Sequence, residues 1–341
     1  MKILIITSSL PPSGGAEKVA WDLALSLKNN NEVHVITFGS EDTIKNIEGI
    51  TVYFLKQRSH GLWYYLTIGR KRILNITNQI KPDIINAHMH SVVAFILRFY
   101  PEKKVLTLHN SQYEHYNKTF IQKFKHNIFT RKTIEKYDVV TTVSKHMQNY
   151  FINMFNREIV HIANGINREI FVNENKQRGK IILYVGRLVD FKGVRILFEM
   201  AKIKKEYKFI FIGDGPLKNI INLPNVEFVG IKDSQEISRY YNKARFAIFP
   251  SKYENFPLVG LEAMACGAIV IANEINGFQE YIVNKENGFL VKKMSIKNII
   301  DNFERISQRK DLELIKTNAV NTSNEYSLNK ISNLYMNLFN N

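Results

Sequence analysis

The sequence predicts an α/β protein built from two doubly wound, Rossmann-like domains. Short runs rich in β-branched residues alternate along the chain with longer amphipathic stretches, which is the pattern of parallel strands covered by helices. The length of 341 residues suits two domains, and hydrophobic residues make up 45% of the chain, enough for a substantial core in each. A polar stretch without periodicity interrupts the alternation at 167–179 and is expected to be a linker.

Each predicted strand is a short apolar run between turn residues. In the first half the strands are expected at 2–7, 32–38, 51–55, 83–88, 104–109, 139–144 and 159–164. In the second half they are expected at 181–186, 209–213, 226–229, 246–250, 268–272 and, as a short edge strand, 288–291. The first domain is therefore set at 1–166, the second at 180–325 and a terminal helix at 326–341. The cleft between two such domains is the default ligand site.

The chain is strongly basic, with 47 Lys and Arg against 31 Asp and Glu and a formal net charge of +16. This surplus predicts a negatively charged partner: nucleic acid, an anionic membrane surface or a phosphorylated small molecule. No nucleic-acid-binding motif is recognisable and the basic residues are spread over both halves, so nucleic acid is not an expected partner. The single cysteine, Cys266, excludes an intrachain disulfide and a cysteine-based zinc site. The apolar runs are too short for a membrane span or a signal-peptide core, which predicts a cytoplasmic protein.

Two basic stretches with aromatic residues predict a peripheral contact with the inner face of an anionic membrane. In 113–132, Phe120, Phe124 and Ile128 recur at helical spacing beside several lysines and arginines. In 56–72, aromatic residues lie between two basic clusters. A basic helix with an apolar stripe is typical of an interfacial helix. The alternative is that the stripes pack into the domain core and the charges are solvated.

Two segments that follow predicted strands have the chemistry of phosphate sites. Gly14 and Gly15 remove side chains where the first strand turns into a helix, which exposes N–H groups at the positive end of that helix. The alternative there is an ordinary strand–helix turn. In the second half, Arg187 and Lys192 lie at the sheet edge where open α/β sheets bind ligands. A guanidinium fork and an ammonium together suit a diphosphate, whereas the alternative is a solvated basic loop.

The most informative segment is 249–267, which carries two carboxylates around a predicted helix start. Pro257 fits the first helical position, which places Glu254 in the preceding loop and Glu262 inside the helix. Carboxylates bind hydroxyls and helix N–H groups bind anionic oxygens, and a phosphorylated sugar offers both. Taken alone, Glu262 could equally be an ordinary acidic residue near a helix start. The segment Gly213-Asp-Gly-Pro216 is better explained as a tight turn.

In this order and at this spacing, the segments resemble the retaining glycosyltransferases of family 4, which use nucleotide sugars and have the GT-B fold. The resemblance covers nearly the whole chain. It rests on Gly14-Gly-Ala-Glu17, Ile162-Ala-Asn-Gly-Ile-Asn167, Gly186-Arg-Leu with Lys192-Gly, Gly213-Asp-Gly-Pro216, and the EX7E element from Glu254 to Glu262. It implies two Rossmann-like domains facing a central cleft, with a terminal helix that crosses back to the first domain.

The resemblance also implies roles for individual residues. Arg187 and Lys192 hold the donor diphosphate. Glu262 binds the nucleotide ribose, and Glu254 binds a hydroxyl of the donor sugar. The remaining implied contacts are Gly15 against the donor phosphates, Ile231 near the base, His109 near the donor sugar and the reaction centre, and the backbone of Asn255, Phe256, Pro257 and Leu258 beside the sugar. Of all these residues, the implied catalytic ones are Glu254, His109, Arg187 and Lys192.

The implied activity is transfer of a hexosyl unit, with retention, from a UDP- or GDP-sugar to a glycan or lipid-linked acceptor in the synthesis of cell-surface polysaccharide or lipopolysaccharide. No metal ion or other cofactor is expected, because fixed cations stabilise the leaving diphosphate. Two positions depart from the family pattern: Asn255 replaces a frequent Gly or Ser, and Asn110 replaces a frequent acidic residue. The alternatives are a GT-B transferase to a small soluble acceptor, a sugar phosphorylase, and a basic protein that binds polyanions.

Overall fold

The computed structural model describes residues 1–12, 14–56, 68–88, 92–109, 130–218, 220 and 222–340. The chain divides into two compact units. The first comprises Met1–Asn164 together with Ile331–Asn341, and the second comprises Gly165–Lys330. Each unit has its own sheet of mainly parallel strands flanked by helices, which confirms the predicted α/β class.

The described part of the first unit contains an eight-stranded sheet. Its strands are β1 (Lys2–Ile6), β2 (Glu32–Gly39), β3 (Thr43–Ile47), β4 (Ile50–Lys56), β5 (Ile84–Ala87), β6 (Lys103–Leu108), β7 (Val139–Thr142) and β8 (Val160–His161). Its helices include α1 (Gly15–Leu27), α2 (Ile68–Ile80), α3 (Val92–Leu97) and α4 (Lys145–Phe155). The strand order is β3-β4-β2-β1-β5-β6-β7-β8. The central strand β1 is fully buried from Ile3 to Ile6, as expected for a strand covered on both faces.

Strand β3 was not predicted from the sequence, and it is the antiparallel edge of this sheet. Its residues are exposed or half-buried, so the segment lacks the apolar run by which the other strands are recognised. It pairs with β4 through a two-residue turn at Glu48 and Gly49, both of which have positive φ (50° and 82°). Such a turn matches the twist of a hairpin, and the Gly in it was the available sequence signal.

The second unit contains, in its described residues, a six-stranded parallel sheet in the order β11-β10-β9-β12-β13-β14. Its strands are β9 (Gly179–Val185), β10 (Lys208–Ile212), β11 (Val226–Gly230), β12 (Ala244–Phe249), β13 (Ile269–Asn273) and β14 (Phe289–Val291). Its helices are α5 (Val194–Ile203), α6 (Ser234–Lys243), α7 (Leu258–Ala265), α8 (Asn276–Gln279), α9 (Ile296–Ser307) and α10 (Leu312–Glu325). The chain builds outward from β9 to β11 and returns to place β12 on the other side of β9. The carboxyl ends of β9 and β12 therefore form a topological switch point, where such sheets bind ligands.

The last helix, α11 (Leu328–Asn340), contributes its residues from Ile331 onward to the first unit. Ile331, Tyr335 and Phe339 follow one another at a spacing of four and are buried. The Lys103 ammonium donates a hydrogen bond of 2.8 Å to the carbonyl of Leu338, at the negative end of the helix dipole.

The polar segment predicted to be a linker belongs to the compact second unit. Phe171 within it is completely buried and meets the ring of Tyr241 edge-on, with centroids 6.4 Å apart. The Arg178 guanidinium at its end donates to the carbonyls of Tyr241, Ala244 and Cys266. The segment is therefore packed against α6 and its flanks by one aromatic side chain and one guanidinium.

The two basic stretches expected to contact a membrane lie outside the described residues, apart from Lys56, 68–72 and 130–132. Asn110 also lies outside them. Across the part of the chain that is described, none of the helices is both long enough and apolar enough to span a bilayer.

We expect Phe171→Ala to lower the free energy of unfolding of the second unit by about 3–5 kcal/mol, because it empties a fully buried aromatic site. Val172→Ala is the matched control, since Val172 is 43% exposed and should change stability by only about 0.5 kcal/mol. Chemical denaturation followed by circular dichroism measures both. Equal effects of the two substitutions would contradict the packed arrangement of this segment.

Candidate active site

Glycines bring the loops after β9 and β10 into backbone contact. At Gly213 (φ +134°) a Cβ atom would lie 2.0 Å from the carbonyl oxygen of Gly186, and at Gly215 it would lie 2.5 Å from that of Leu188. The Leu188 N–H donates to the Asp214 carbonyl at 2.9 Å. The Gly213-Asp-Gly-Pro216 segment is thus the tight structural turn that the sequence suggested, and it fixes the backbone on both sides of Arg187.

A second close approach joins the loop after β9 to the loop after β12. Gly193 (φ +73°) ends the short 3₁₀ turn Asp190–Lys192, and a Cβ atom there would lie 2.1 Å from the Pro250 carbonyl oxygen. The Lys252 N–H donates to the Phe191 carbonyl at 2.8 Å. Neither loop can move along the other without breaking this contact.

These contacts place two of the predicted site residues together. The Lys192 ammonium binds the Glu254 carboxylate directly, and both side chains are largely buried, with 19% and 14% of their surface exposed. Gly277 lies directly against the backbone of Glu254, because a Cβ atom at Gly277 would lie 2.4 Å from the Glu254 carbonyl oxygen. The sequence did not single out Gly277, and its only signal was a glycine just inside a helix start.

Arg187 lies on the same loop as Lys192 and is exposed. Its guanidinium carbon is 5.1 Å from the centre of the Phe191 ring, and the Lys192 ammonium is 5.6 Å from it. Phe191 is 41% exposed, which is unusual for an aromatic side chain. Both cations therefore lie within cation–π distance of this ring on the surface of the loop. Sequence reasoning missed Phe191, although a lone aromatic residue between two cations was the signal for it.

Helix α7 begins one residue later than predicted. Pro257 is the N-cap (φ −75°, ψ 113°) and Leu258 is the first helical residue. An extended conformation is usual at the N-cap, and proline can occupy this position although it has no N–H. Despite the shift of one residue, the helix still begins directly after the loop that contains Glu254. Phe256 is 6% exposed and packs against Tyr281 and Tyr326, with ring centroids 5.4 and 5.6 Å away. Its side chain belongs to the core, so any ligand contact of Phe256 must come from its backbone.

The other predicted residues of this segment differ in exposure. Glu262 is only 4% exposed within α7, and Leu258 is 8% exposed. The Asn255 amide oxygen accepts a hydrogen bond from the Tyr253 hydroxyl.

Ile231 follows β11 and is 78% exposed, the most exposed large hydrophobic side chain among the described residues.

Three buried tyrosines support the backbone of the site. The hydroxyl of Tyr184 donates to the Arg187 carbonyl at 2.9 Å, that of Tyr281 to the Pro257 carbonyl at 2.7 Å, and that of Tyr241 to the Val259 carbonyl at 3.1 Å. Burial raises the pKa of each phenol, and nearby carboxylates raise it further: Glu254 for Tyr184, Glu254 and Glu262 for Tyr281, and Glu262 for Tyr241. The phenols therefore stay protonated and continue to donate hydrogen bonds to these backbone carbonyls.

Gly15 and His109 belong to the first unit. Gly15 is the first residue of α1, and the N-cap before it, Gly14, has no side chain that could cap the helix. His109 follows β6, and its Nε2 lies 3.0 Å from Nδ1 of His88, which follows β5. Burial lowers the pKa of His109 to about 4. Burial and the neighbouring His109 charge hold the pKa of His88 well below its ordinary range.

Among the described residues, no three His, Cys, Asp or Glu side chains are grouped in a way that could hold a metal ion. In the second unit the structure brings together Arg187, Lys192 and Glu254, on adjoining loops at the switch point. Each of the remaining predicted residues lies in a loop that follows a strand or in the helix after that loop.

We expect Gly193→Ala to destabilise the second unit by about 1–3 kcal/mol more than Gly230→Ala, because the new methyl group meets the Pro250 carbonyl. The two glycines have similar φ (+73° and +81°), but a Cβ atom at Gly230 has open space around it. Gly230→Ala should therefore cost only the strain of a left-handed residue, about 1–2 kcal/mol. Denaturant titration measures the difference, and equal losses would refute the crowding at Gly193.

We expect the free energy of unfolding to fall as the pH is lowered from about 6.5 to about 4. In the unfolded chain His88 and His109 take up protons at an ordinary pKa, whereas in the folded chain they do so only at lower pH. The unfolded state binds more protons in this window, so stability rises with pH across it and is level above it. Denaturant titrations at several pH values measure this slope. A slope in His109→Gln as steep as that of the wild type would rule out the contribution of His109.

Two family models match the chain in adjacent ranges. The model described as Glycosyltransferase Family 4 matches residues 13–170, and the model described as Glycosyl transferases group 1 matches residues 166–321. Among solved structures, sucrose-phosphate synthase from Thermosynechococcus elongatus is similar with a TM-score of 0.83 and 20% identity, covering 99% of each chain. The HepE protein of Anabaena in complex with UDP and glucose has a TM-score of 0.81 and 19% identity, covering 100% of this chain and 99% of that one.

Three relatives illustrate the similarity in sequence. An uncharacterised glycosyltransferase of Methanocaldococcus jannaschii is 32% identical over 312 residues, 86% of this chain and 84% of the relative. N-acetyl-α-D-glucosaminyl L-malate synthase of Bacillus anthracis is 25% identical, covering 92% and 89%. A capsular polysaccharide biosynthesis glycosyltransferase of Staphylococcus aureus is 32% identical, covering 42% and 43%. The chain therefore belongs to the family 4 glycosyltransferases, with the GT-B fold that its sequence motifs predicted.

Proposed function

We propose that this glycosyltransferase moves a hexosyl unit, with retention of configuration, from a UDP- or GDP-sugar to a glycan or lipid-linked acceptor in the synthesis of cell-surface polysaccharide or lipopolysaccharide. The observation that carries the proposal is the contact between Lys192 and Glu254 at the switch point of the second sheet. A cation for phosphate and a carboxylate for hydroxyls meet there in one largely buried place.

The donor diphosphate binds to Arg187 and Lys192. The two cations lie 5.1 and 5.6 Å from the centre of the Phe191 ring, on a loop whose backbone is fixed by glycine contacts at both ends. A guanidinium offers two parallel donors to one phosphate, and an ammonium adds a point charge for the next. Because the loop is fixed before binding, little ordering entropy opposes the ligand.

The sugar and ribose hydroxyls bind to the two carboxylates. Glu254 is already partnered by Lys192, so in the complex the ammonium shares its hydrogen bonds between the carboxylate and a phosphate oxygen. Glu262 lies within α7 and binds the ribose. The N-terminus of α7, where the N-cap makes no side-chain hydrogen bond, provides N–H donors and a positive dipole end beside the sugar.

The reaction is attack of an acceptor hydroxyl on the anomeric carbon from the face that the nucleoside diphosphate leaves. The bond from the anomeric carbon to the diphosphate oxygen breaks, the bond to the acceptor oxygen forms, and the acceptor proton passes to the leaving oxygen. Negative charge develops on the diphosphate, and Arg187, Lys192 and the start of α7 stabilise it. No metal ion or other cofactor takes part in this scheme, because the fixed cations supply the required positive charge.

Two comparisons support the donor and the acceptor class. The similar HepE structure contains UDP and glucose, and the Staphylococcus aureus relative is named for capsular polysaccharide synthesis. The net charge of +16 favours an anionic acceptor or membrane surface, so we propose a cytoplasmic protein that contacts the inner face of the membrane. A small soluble acceptor is the second candidate, because the Bacillus anthracis relative, named as an N-acetyl-α-D-glucosaminyl L-malate synthase, matches 92% of the chain.

We expect UDP or GDP and their sugars to raise the melting temperature of the wild-type protein, with stabilisation of about 2.7 kcal/mol at a hundredfold excess over Kd. Arg187→Ala removes one diphosphate contact, and its shift should largely disappear. Arg239→Ala is the matched control, since Arg239 is an exposed arginine on α6 that has no part in the proposed site. Thermal-shift assays with a panel of nucleotides measure all three proteins.

The nucleotide that stabilises the wild type then serves as the donor in a transfer assay. An α-linked donor should yield an α-linked product, which NMR of the anomeric proton detects. Absence of any nucleotide shift, or an equal shift in Arg187→Ala, would overturn the proposed donor site. A β-linked product would overturn retention, and transfer to inorganic phosphate or a small acceptor in preference to glycans would overturn the proposed acceptor.

A further inference from the structure

In the first unit, a chain of hydrogen-bonded polar side chains leads to His109, and the proposed mechanism does not use it. It runs from Asn86 on β5 through His88 to His109, and all three residues lie near the carboxyl ends of adjacent strands. Asn86 is 0% exposed and His88 is 3% exposed. Buried polar groups of this kind persist where each one has a partner, so the hydrogen bonds determine where the protons lie.

The orientation of Asn86 is set by a backbone carbonyl. The Asn86 Nδ2 lies 3.4 Å from the carbonyl oxygen of Val105 and 3.1 Å from the Thr107 hydroxyl. A carbonyl can only accept, so the atom of Asn86 that faces Val105 is the amide NH₂ group. The other atom, which faces Nε2 of His88, is therefore the oxygen.

This orientation fixes the proton on each histidine in turn. The Asn86 oxygen accepts, so Nε2 of His88 carries a proton and donates it. Neutral His88 then has an unprotonated Nδ1, which accepts from Nε2 of His109 at 3.0 Å. His109 therefore carries its proton on Nε2, and its Nδ1 is the acceptor atom of the neutral ring.

The ring geometry agrees with a hydrogen bond near the ring planes. The two imidazole centroids are 5.2 Å apart with planes inclined by 30°. The ring of Tyr335 on α11 also lies near the His88 ring, with centroids 6.1 Å apart. The Tyr335 hydroxyl is 3.4 Å from that of Thr107, which also accepts from Thr141 at 2.9 Å. Neighbouring strands and the terminal helix thus hold His88 in place.

We propose that Asn86 and His88 are positioning residues that hold His109 in its Nε2–H tautomer, so that Nδ1 of His109 accepts a hydrogen bond from a hydroxyl of the substrate. The proposal rests on the proposed function for the role of His109, but the tautomer itself follows from contacts within the first unit. A neutral acceptor orients a hydroxyl without adding positive charge beside a developing oxocarbenium ion, which a protonated histidine would do.

The experiment is long-range ¹H–¹⁵N correlation NMR of the full chain labelled with ¹⁵N-histidine, which distinguishes protonated from unprotonated ring nitrogens. The spectra of His88→Phe, His88→Asn and His109→Gln assign the signals. In the wild type we expect His109 to be neutral with its proton on Nε2. In His88→Phe the acceptor is lost while an aromatic ring is kept, so His109 should no longer favour that tautomer.

Activity provides the second readout. We expect kcat of His88→Phe to fall about 10- to 100-fold, with the donor KM nearly unchanged, because a misoriented group costs rate rather than donor binding. His88→Asn should recover most of kcat, since the asparagine side-chain oxygen takes the place of Nδ1 and can accept from His109. His34→Gln, a histidine substitution on β2 that pairs with Glu32, should leave kcat unchanged.

Three results would overturn the proposal: a proton on Nδ1 of His109 in the wild type, an unchanged His109 tautomer in His88→Phe, or equal kcat losses in His88→Phe and His88→Asn. If the wild type transferred no sugar from any donor, the proposed function would fall. The dependence of the His109 tautomer on His88 would still be decided by the spectra, so the two failures are distinguishable.

Discussion

The candidate site depends on the close approach of backbone to backbone at the carboxyl edge of the second sheet. Gly213 lies against Gly186 and Gly193 against Pro250, at distances that leave no room for a Cβ atom. Parallel strands end at the same edge, but their loops normally keep side chains between them. Here the side chains are missing at the contact points, so the loop carrying Arg187 and Lys192 is fixed in position before any ligand binds. Preorganised charges of this kind need no rearrangement during a reaction.

The ion pair between Lys192 and Glu254 follows from this fixed geometry. Two opposite charges that are mostly shielded from water attract more strongly than an exposed pair, and neither charge is left uncompensated when the site is empty. A diphosphate brings its own negative charge to the ammonium, and a sugar brings hydroxyl donors to the carboxylate. In the complex, phosphate oxygens therefore take over part of the carboxylate's role toward Lys192, and sugar hydroxyls take over part of the ammonium's role toward Glu254. Neither charged group loses its partner on binding, which limits the desolvation cost.

The fold could be predicted from the sequence because most of its strands are apolar runs buried on both faces. Strand β1 is such a run, and the periodicity of the flanking helices agrees with it. The edge strand β3 could not be found in this way, since it is exposed and is defined by its turn rather than by burial. Phe171 was hidden for the opposite reason: a single buried aromatic residue in a polar segment has no period to reveal it.

The site could be predicted only where its residues form motifs along the chain. Arg187, Lys192 and Glu254 were identified from local segments and a family resemblance, and the structure brings their loops together. Gly277 and the supporting tyrosines act through contacts with distant segments, which no local pattern reports. His88 occupies the same position on β5 as His109 does on β6, one residue past the strand end. Two histidines at the ends of adjacent parallel strands were the available signal for their contact.

Buried neutral side chains orient the chemically active groups of both units through hydrogen bonds. In the second unit, phenols whose pKa is raised by burial and by carboxylates hold the backbone of Arg187 and Pro257. In the first, an asparagine amide sets the proton of His88 and, through it, that of His109. A charged group in either supporting position would itself be costly to bury and would alter the charge that it supports. Neutral hydrogen-bonding side chains avoid both effects, so they can fix the geometry of a charged site without changing its electrostatic balance.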